Sequence, residues 1–98
     1  MRLEVTKSGG FAGLTRRAVL DTTELPPEKA RSVHAQVEEL DLDDLVARSP
    51  IRGPGADRAQ YDLTVTEASW SRRVTASEGA APQSFRSLVE RVLEGSGF

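Results

Sequence analysis

The groups in this chain that can do chemistry are few and poorly placed for it. His34 is the only histidine, so a zinc site built on two or three imidazoles cannot form within one copy. It follows Val33 in a helical stretch and reads as a boundary residue with no special role. There are no cysteines, which excludes disulfides, thiolate ligands and cysteine nucleophiles. Asp41-Leu42-Asp43-Asp44 has the opening of a calcium loop. Its sixth and twelfth positions, however, hold Val46 and Arg52 where a glycine and a bidentate glutamate are needed. Helix capping accounts better for these acids. Gly53-Pro54-Gly55 lacks the following Gly-Lys-Ser/Thr of a phosphate loop, and its proline removes a donor that such a loop needs. The serines have no histidine base beside them in any motif, so a hydrolase triad has no support. Trp70 with Arg72 and Arg73 resembles a stacking platform for single-stranded nucleic acid. On a strand, though, only Arg72 shares a side with Trp70. The expectation is a protein that is not an enzyme and holds no metal or cofactor.

What remains is a binding feature. Gly9-Gly10-Phe11-Ala12-Gly13 sets one bulky aromatic among three glycines in five residues. Such a backbone is released from the usual steric limits, and Phe11 has no local neighbour to pack against. The loop therefore either folds its aromatic over the open end of a sheet or offers it to a partner. Both readings stand at this point.

The elements that position this loop follow from periodicity. Arg2 to Ser8 alternates, with Leu3 and Val5 on one side and Glu4 and Thr6 on the other, as a half-buried strand does. Leu14 to Asp21 continues that pattern, with Leu14, Ala18 and Leu20 on one face and Arg16 interrupting it. Residues 9–13 form the hairpin loop between the two. Leu25-Pro26-Pro27-Glu28 opens a helix, where proline suits the first turn and an acid suits the dipole. Ala30, Val33, Val37 and Leu40 then make one apolar stripe. Leu42, Leu45 and Val46 read as a short turn sealing one end of the core. Residues 48–58 carry two prolines and two glycines and are irregular. Tyr61, Leu63 and Val65 alternate with Asp62, Thr64 and Thr66, the clearest strand in the chain. Ala68-Ser69 turns into a fourth strand over Trp70 to Ala76. Ala81-Pro82 opens a last helix, with Phe85, Leu88, Val89 and Val92 on its apolar face and Gly95 ending it. The expected fold is α+β, a two-layer sandwich of order ββαββα. It has a four-stranded antiparallel sheet with two helices on one face.

The 98 residues suit one domain over 1–98. The chain is 38% hydrophobic and 29% charged, a globular composition. The net charge of −2 divides unevenly: residues 24–44 carry seven acids against two bases, and residues 1–20 carry four bases against one acid. Two oppositely charged regions suit a protein partner better than nucleic acid, which wants one basic face. No apolar run is long enough to span a bilayer, and the N-terminus has no signal-peptide pattern. The expectation is a cytoplasmic protein without nucleic-acid or membrane partners. An edge strand permits pairing without demanding it, and the free chain is expected to be a monomer.

Met1-Arg2-Leu3-Glu4-Val5-Thr6 followed by Ser8-Gly9-Gly10-Phe11-Ala12-Gly13 resembles the emfourin family, protein inhibitors of protealysin. Leu25-Pro26-Pro27-Glu28 at a helix start is similar to that family as well. So is Asp57-Arg58-Ala59-Gln60-Tyr61-Asp62-Leu63-Thr64-Val65 as a strand. The likeness runs in order over nearly the whole chain and is weakest over 67–79. It implies binding to a protealysin-like, thermolysin-type zinc metalloprotease and blockage of its active-site cleft. On that reading Gly9, Gly10, Phe11, Ala12 and Gly13 enter the cleft, with Phe11 as anchor. Ile51, Arg52, Asp57 and Arg58 supply a second loop, in which Asp57 or a backbone carbonyl lies near the zinc. Arg52 and Arg58 pair with acids around the cleft. The alternative is a non-inhibitory adaptor domain that binds through the open sheet face, Arg16 and Arg17 included.

Overall fold

The computed structural model describes residues 1–10, 13–53 and 59–95. Four strands form one antiparallel sheet: β1 Arg2–Gly9, β2 Arg16–Asp21, β3 Ala59–Glu67 and β4 Trp70–Ser77. The spatial order is β2-β1-β3-β4, so two hairpins lie side by side with β1 and β3 joined at the centre. Alternation sets the faces. Leu3 and Val5 of β1 stand beside Leu63 and Val65 of β3 and Val74 and Ala76 of β4, all buried. Glu4, Thr6, Asp62, Thr64, Arg73 and Thr75 point to the opposite, open face.

The helices are α1 Pro27–Glu39, α2 Leu42–Arg48 and α3 Gln83–Glu94. Val33 and Val37 of α1 and Phe85, Leu88, Val89 and Val92 of α3 close the core over the inner face of the sheet. The ring of Phe85 meets Tyr61 edge-on, with centroids 6.2 Å apart. Pro27 starts α1 as expected, and Gly95 ends α3 with φ of 67°.

Two local expectations need correction. The stretch around Leu42, Leu45 and Val46 is a seven-residue helix rather than a turn. Asp41 caps it by accepting a hydrogen bond from the Asp44 N–H at 3.1 Å, which is the capping role expected of this acidic run. Among the described residues this short helix joins the two long ones of the expected ββαββα layout. The second strand begins at Arg16, and Leu14 lies outside it, 71% exposed, instead of on the buried face. The hairpin leaves its ladder early: Lys7–Arg16 is its last pair.

Candidate functional site

Register brings the described residues of the two candidate loops to one end of the sheet. Lys7 pairs with Arg16, Gly9 with Ala59, and Gln60 with Ser77. The hairpin tip, the entry to β3 and the exit from β4 therefore share an edge of the molecule. Gly10 and Gly13 have φ of 80° and 63°, conformations that favour glycine, and the Gly13 N–H donates to the Gly10 carbonyl at 3.3 Å. Gly10 also lies close to Ala59: a Cβ built on it would stand 3.5 Å from the Ala59 Cβ. Gly9 is the last residue of β1, one residue further into the strand than expected, and Gly10 and Gly13 follow at the same end of the sheet. Phe11, Ala12, Asp57 and Arg58 lie outside the described residues.

Ile51 and Arg52 reach the same end from the other side. The Ile51 N–H donates to the Thr75 carbonyl, and the Ser77 N–H donates to the Ile51 carbonyl, both at 2.8 Å. Ile51 forms a parallel bridge with Ala76 at the outer side of β4. Its side chain is half-buried and packs against the core, so it holds the loop in place, while Arg52 is exposed. Gly53 passes so near the Ala80 side chain that an added Cβ would lie 3.1 Å from it. Glu78 closes the circuit by donating its N–H to the Ala59 carbonyl at 2.8 Å.

Beneath the hairpin sits a polar cluster at positions where the strand pattern calls for apolar residues. Lys7 is on the inner face, in phase with Leu3 and Val5. Its Nζ lies 3.1 Å from Glu78 Oε2 and 3.2 Å from Glu90 Oε1, and 5.2 Å from the centre of the Tyr61 ring. The Tyr61 hydroxyl donates to Glu90 and, at 3.2 Å, to Glu78. Burial and the neighbouring Glu90 carboxylate push the Tyr61 phenol up to about 12. Burial alone would lower the Lys7 ammonium, but its bonds to Glu78, Glu90 and Tyr61 outweigh that and raise it. Glu90 moves the other way: burial favours its neutral form, yet the Tyr61 and Lys7 hydrogen bonds hold it below the usual carboxylate value. Arg16, the residue that interrupts the second strand's pattern, donates from Nη2 to the Leu93 carbonyl at 3.3 Å, near the end of α3. Both strands of the hairpin are thereby tied to α3 just below the loop.

An open cleft of about 480 Å³ adjoins this cluster, lined by Tyr61, Glu78, Gln83, Arg86, Ser87 and Glu90. Among the described residues it holds no paired nucleophile and base: Ser87 Oγ accepts a hydrogen bond from Gln83 Nε2 at 3.2 Å. His34 is elsewhere, its Nε2 3.0 Å from Thr22 Oγ1. Among the described residues no group of three His, Asp or Glu side chains is arranged to hold a metal ion. No helix among them is long and apolar enough to cross a membrane. Arg72 lies over Trp70 at 5.5 Å while Arg73 turns to Asp62 on the other face, so the two arginines do not form one basic patch.

The residue that sequence periodicity misplaced is Leu14. It is the most exposed large apolar side chain among the described residues, and it stands one residue past Gly13 at the loop-bearing end. The clue was Arg16: an arginine in the apolar phase marks where the strand can no longer be buried on that side. The family model for emfourin matches residues 5–93, nearly the whole chain and all of the stretch 67–79. Neither the comparison with curated proteins nor that with solved structures returned a match.

Proposed function

We propose that this chain, which belongs to the emfourin family, inhibits a thermolysin-type, protealysin-like zinc metalloprotease by inserting loops from one end of its sheet into the active-site cleft. Family membership supports a protease-inhibitor role in general. The choice of loops rests on one observation: the glycine hairpin and the Ile51–Arg52 segment meet at a single end, where Leu14 is 71% exposed beside Gly13. Thermolysin-like clefts take an extended segment with a bulky apolar side chain just past the scissile bond. Gly10-Phe11 and Gly13-Leu14 both offer a small residue followed by a bulky one. Gly9, Gly10, Phe11, Ala12 and Gly13 form the inserting loop, with Phe11 or Leu14 as anchor. Arg52 and Arg58 pair with acids on the rim, and Asp57 lies toward the metal. A loop braced by two paired strands and by the Lys7–Glu90 contact loses little freedom on binding and resists the geometry needed for cleavage.

The open sheet face is a weaker platform. Its charges are used internally, Arg17 with Glu4 and Arg73 with Asp62, and among the described residues Val19 is its one exposed large apolar side chain. An adaptor that docks there has few anchors. The deciding experiment is casein cleavage by a protealysin-like protease over a range of inhibitor concentrations. Dose-dependent slowing supports the reading, and undiminished cleavage at excess inhibitor overturns it. Replacing residues 50–57 by a Gly-Ser linker weakens inhibition if that loop makes contact; an unchanged inhibition constant removes it from the site.

A further inference from the structure

The two edges of the sheet differ. The outer side of β4 is partly covered by Ile51 and by contacts with α2. β2 has β1 on one side and, among the described residues, no strand on the other. The Thr22 N–H donates to the Met1 carbonyl at 2.9 Å. In an antiparallel ladder bonded pairs alternate, so Leu3–Leu20, Val5–Ala18 and Lys7–Arg16 are the bonded pairs. The N–H and C=O groups of Arg17, Val19 and Asp21 consequently turn away from β1. Their side chains share the open face, opposite Thr6, Glu4 and Arg2. Val19 is 46% exposed at the centre of this row, with a base two residues before it and an acid two residues after.

We propose that two copies of this chain pair through β2, antiparallel, on a two-fold axis that passes through Val19. In that register Val19 meets Val19 of the second copy, and each Arg17 faces Asp21 across the seam. The backbone groups of Arg17 and Val19 and the N–H of Asp21 complete inter-chain hydrogen bonds, and the two sheets become one of eight strands; the Asp21 carbonyl stays with the helical turn Thr22–Glu24 that this residue caps. On the inner face Ala18 and Leu20, both half-buried in one copy, come into contact across the seam.

The register is specified by charge. Moving the axis to residue 18 or 20 leaves Arg17 and Asp21 opposite uncharged side chains. Moving it to residue 17 or 21 sets arginine against arginine or aspartate against aspartate. Arg17 keeps its bond to Glu4 on β1, so an acid–base–acid row runs across the joined sheets. The seam is short, so the chain stays a monomer when dilute and pairs as concentration rises.

Sedimentation velocity from micromolar to millimolar protein tests this, with thermal melts to confirm that each variant is folded. The weight-average mass of the native chain rises from 10.6 kDa toward twice that value. A mass that stays at 10.6 kDa over the whole range overturns the proposal. Val19→Lys lies on an exposed edge, retains the fold and abolishes the rise. Arg17→Asp and Asp21→Arg each weaken self-association about tenfold or more by opposing like charges. Mixed together, the two single variants pair, because each supplies the charge that the other lacks. Failure of the mixture to associate, with both variants folded, refutes this register even if the native chain dimerises by another surface.

Discussion

Leu14→Ala separates binding from folding. At 71% exposure only about a third of the Leu14 surface is in contact with the rest of the chain. Fully burying a leucine stabilises by about 1.5–3 kcal/mol, so truncation here costs the fold roughly 0.5–1 kcal/mol. In a domain of this size that lowers the melting temperature by roughly 2–8 °C. The exposed two thirds is what a protease pocket can still bury. It contributes about 1–2 kcal/mol to the complex, a change of roughly 5- to 30-fold in inhibition constant. Leu14→Asp sharpens the contrast, since a carboxylate held in an apolar pocket costs several times more, while on the free protein it faces water. The assay is the inhibition constant against a thermolysin-like protease, measured beside urea and thermal unfolding of the same samples. Inhibition unchanged by both substitutions, with melting intact, removes Leu14 from the contact and leaves Phe11 as the sole apolar anchor. A large fall in stability refutes the premise that Leu14 projects into solvent.

Phe11→Ala, put through the same two measurements, weakens inhibition with little change in melting if Phe11 is the anchor; loss of stability with unchanged inhibition makes it a lid over the sheet. Gly10→Val destabilises by about 1–2 kcal/mol, because φ of 80° suits glycine and not a β-branched residue, whereas its neighbour Ala59 leaves ordinary van der Waals room; urea unfolding measures the loss. Tyr61 loses its proton near 10 when unfolded and near 12 when folded, so stability declines as pH rises from 10 toward 12. The raised Lys7 acts with the same sign, its contribution being complete below its unfolded value and lost above it. Tyr61→Phe is less stable than the native chain at neutral pH and shows a flatter alkaline decline by circular dichroism. Asp41→Ala removes the cap of α2 and costs about 1 kcal/mol, read as a lower urea midpoint with inhibition unchanged.

The sheet and the two long helices were legible in the sequence because their signals are periodic and local. Leu3 and Val5, then Tyr61, Leu63 and Val65, alternate without exception, and Phe85, Leu88, Val89 and Val92 repeat at helical spacing. Misreadings arose where a long-range partner decides the outcome. Leu14 carries the right residue type for an inward strand position, but nothing in the sequence says that the ladder stops at Lys7–Arg16. α2 is too short for periodicity to distinguish from a turn; its Asp41 cap is the local signal that identifies it. The cluster of Lys7, Tyr61, Glu78 and Glu90 was invisible because its members are separated by up to 83 residues and only the fold brings them together. Of the predicted site, the order of the two loops was readable, but their meeting depends on register, which no single segment encodes.

That cluster holds the base from which the glycine-rich hairpin leaves the sheet. Glycines at positive φ allow the hairpin to turn, but they also leave the loop many alternatives before binding. The cost of ordering falls if the base is held, and here three independent ties hold it. Lys7 bonds to Glu90 of α3, Arg16 reaches the Leu93 carbonyl, and Gly10 packs on Ala59 at the entry to β3. Each tie uses a residue that departs from the simple strand pattern: a lysine and an arginine in apolar phase, and a glycine where any Cβ would be strained. A hairpin built only for stability would carry apolar side chains at positions 7 and 16 and bury them. Placing charges there instead keeps the end of the sheet wet and open, while anchoring it to the most deeply buried helix. Such an arrangement suits the insertion proposed above, because a held base lowers the ordering cost of binding.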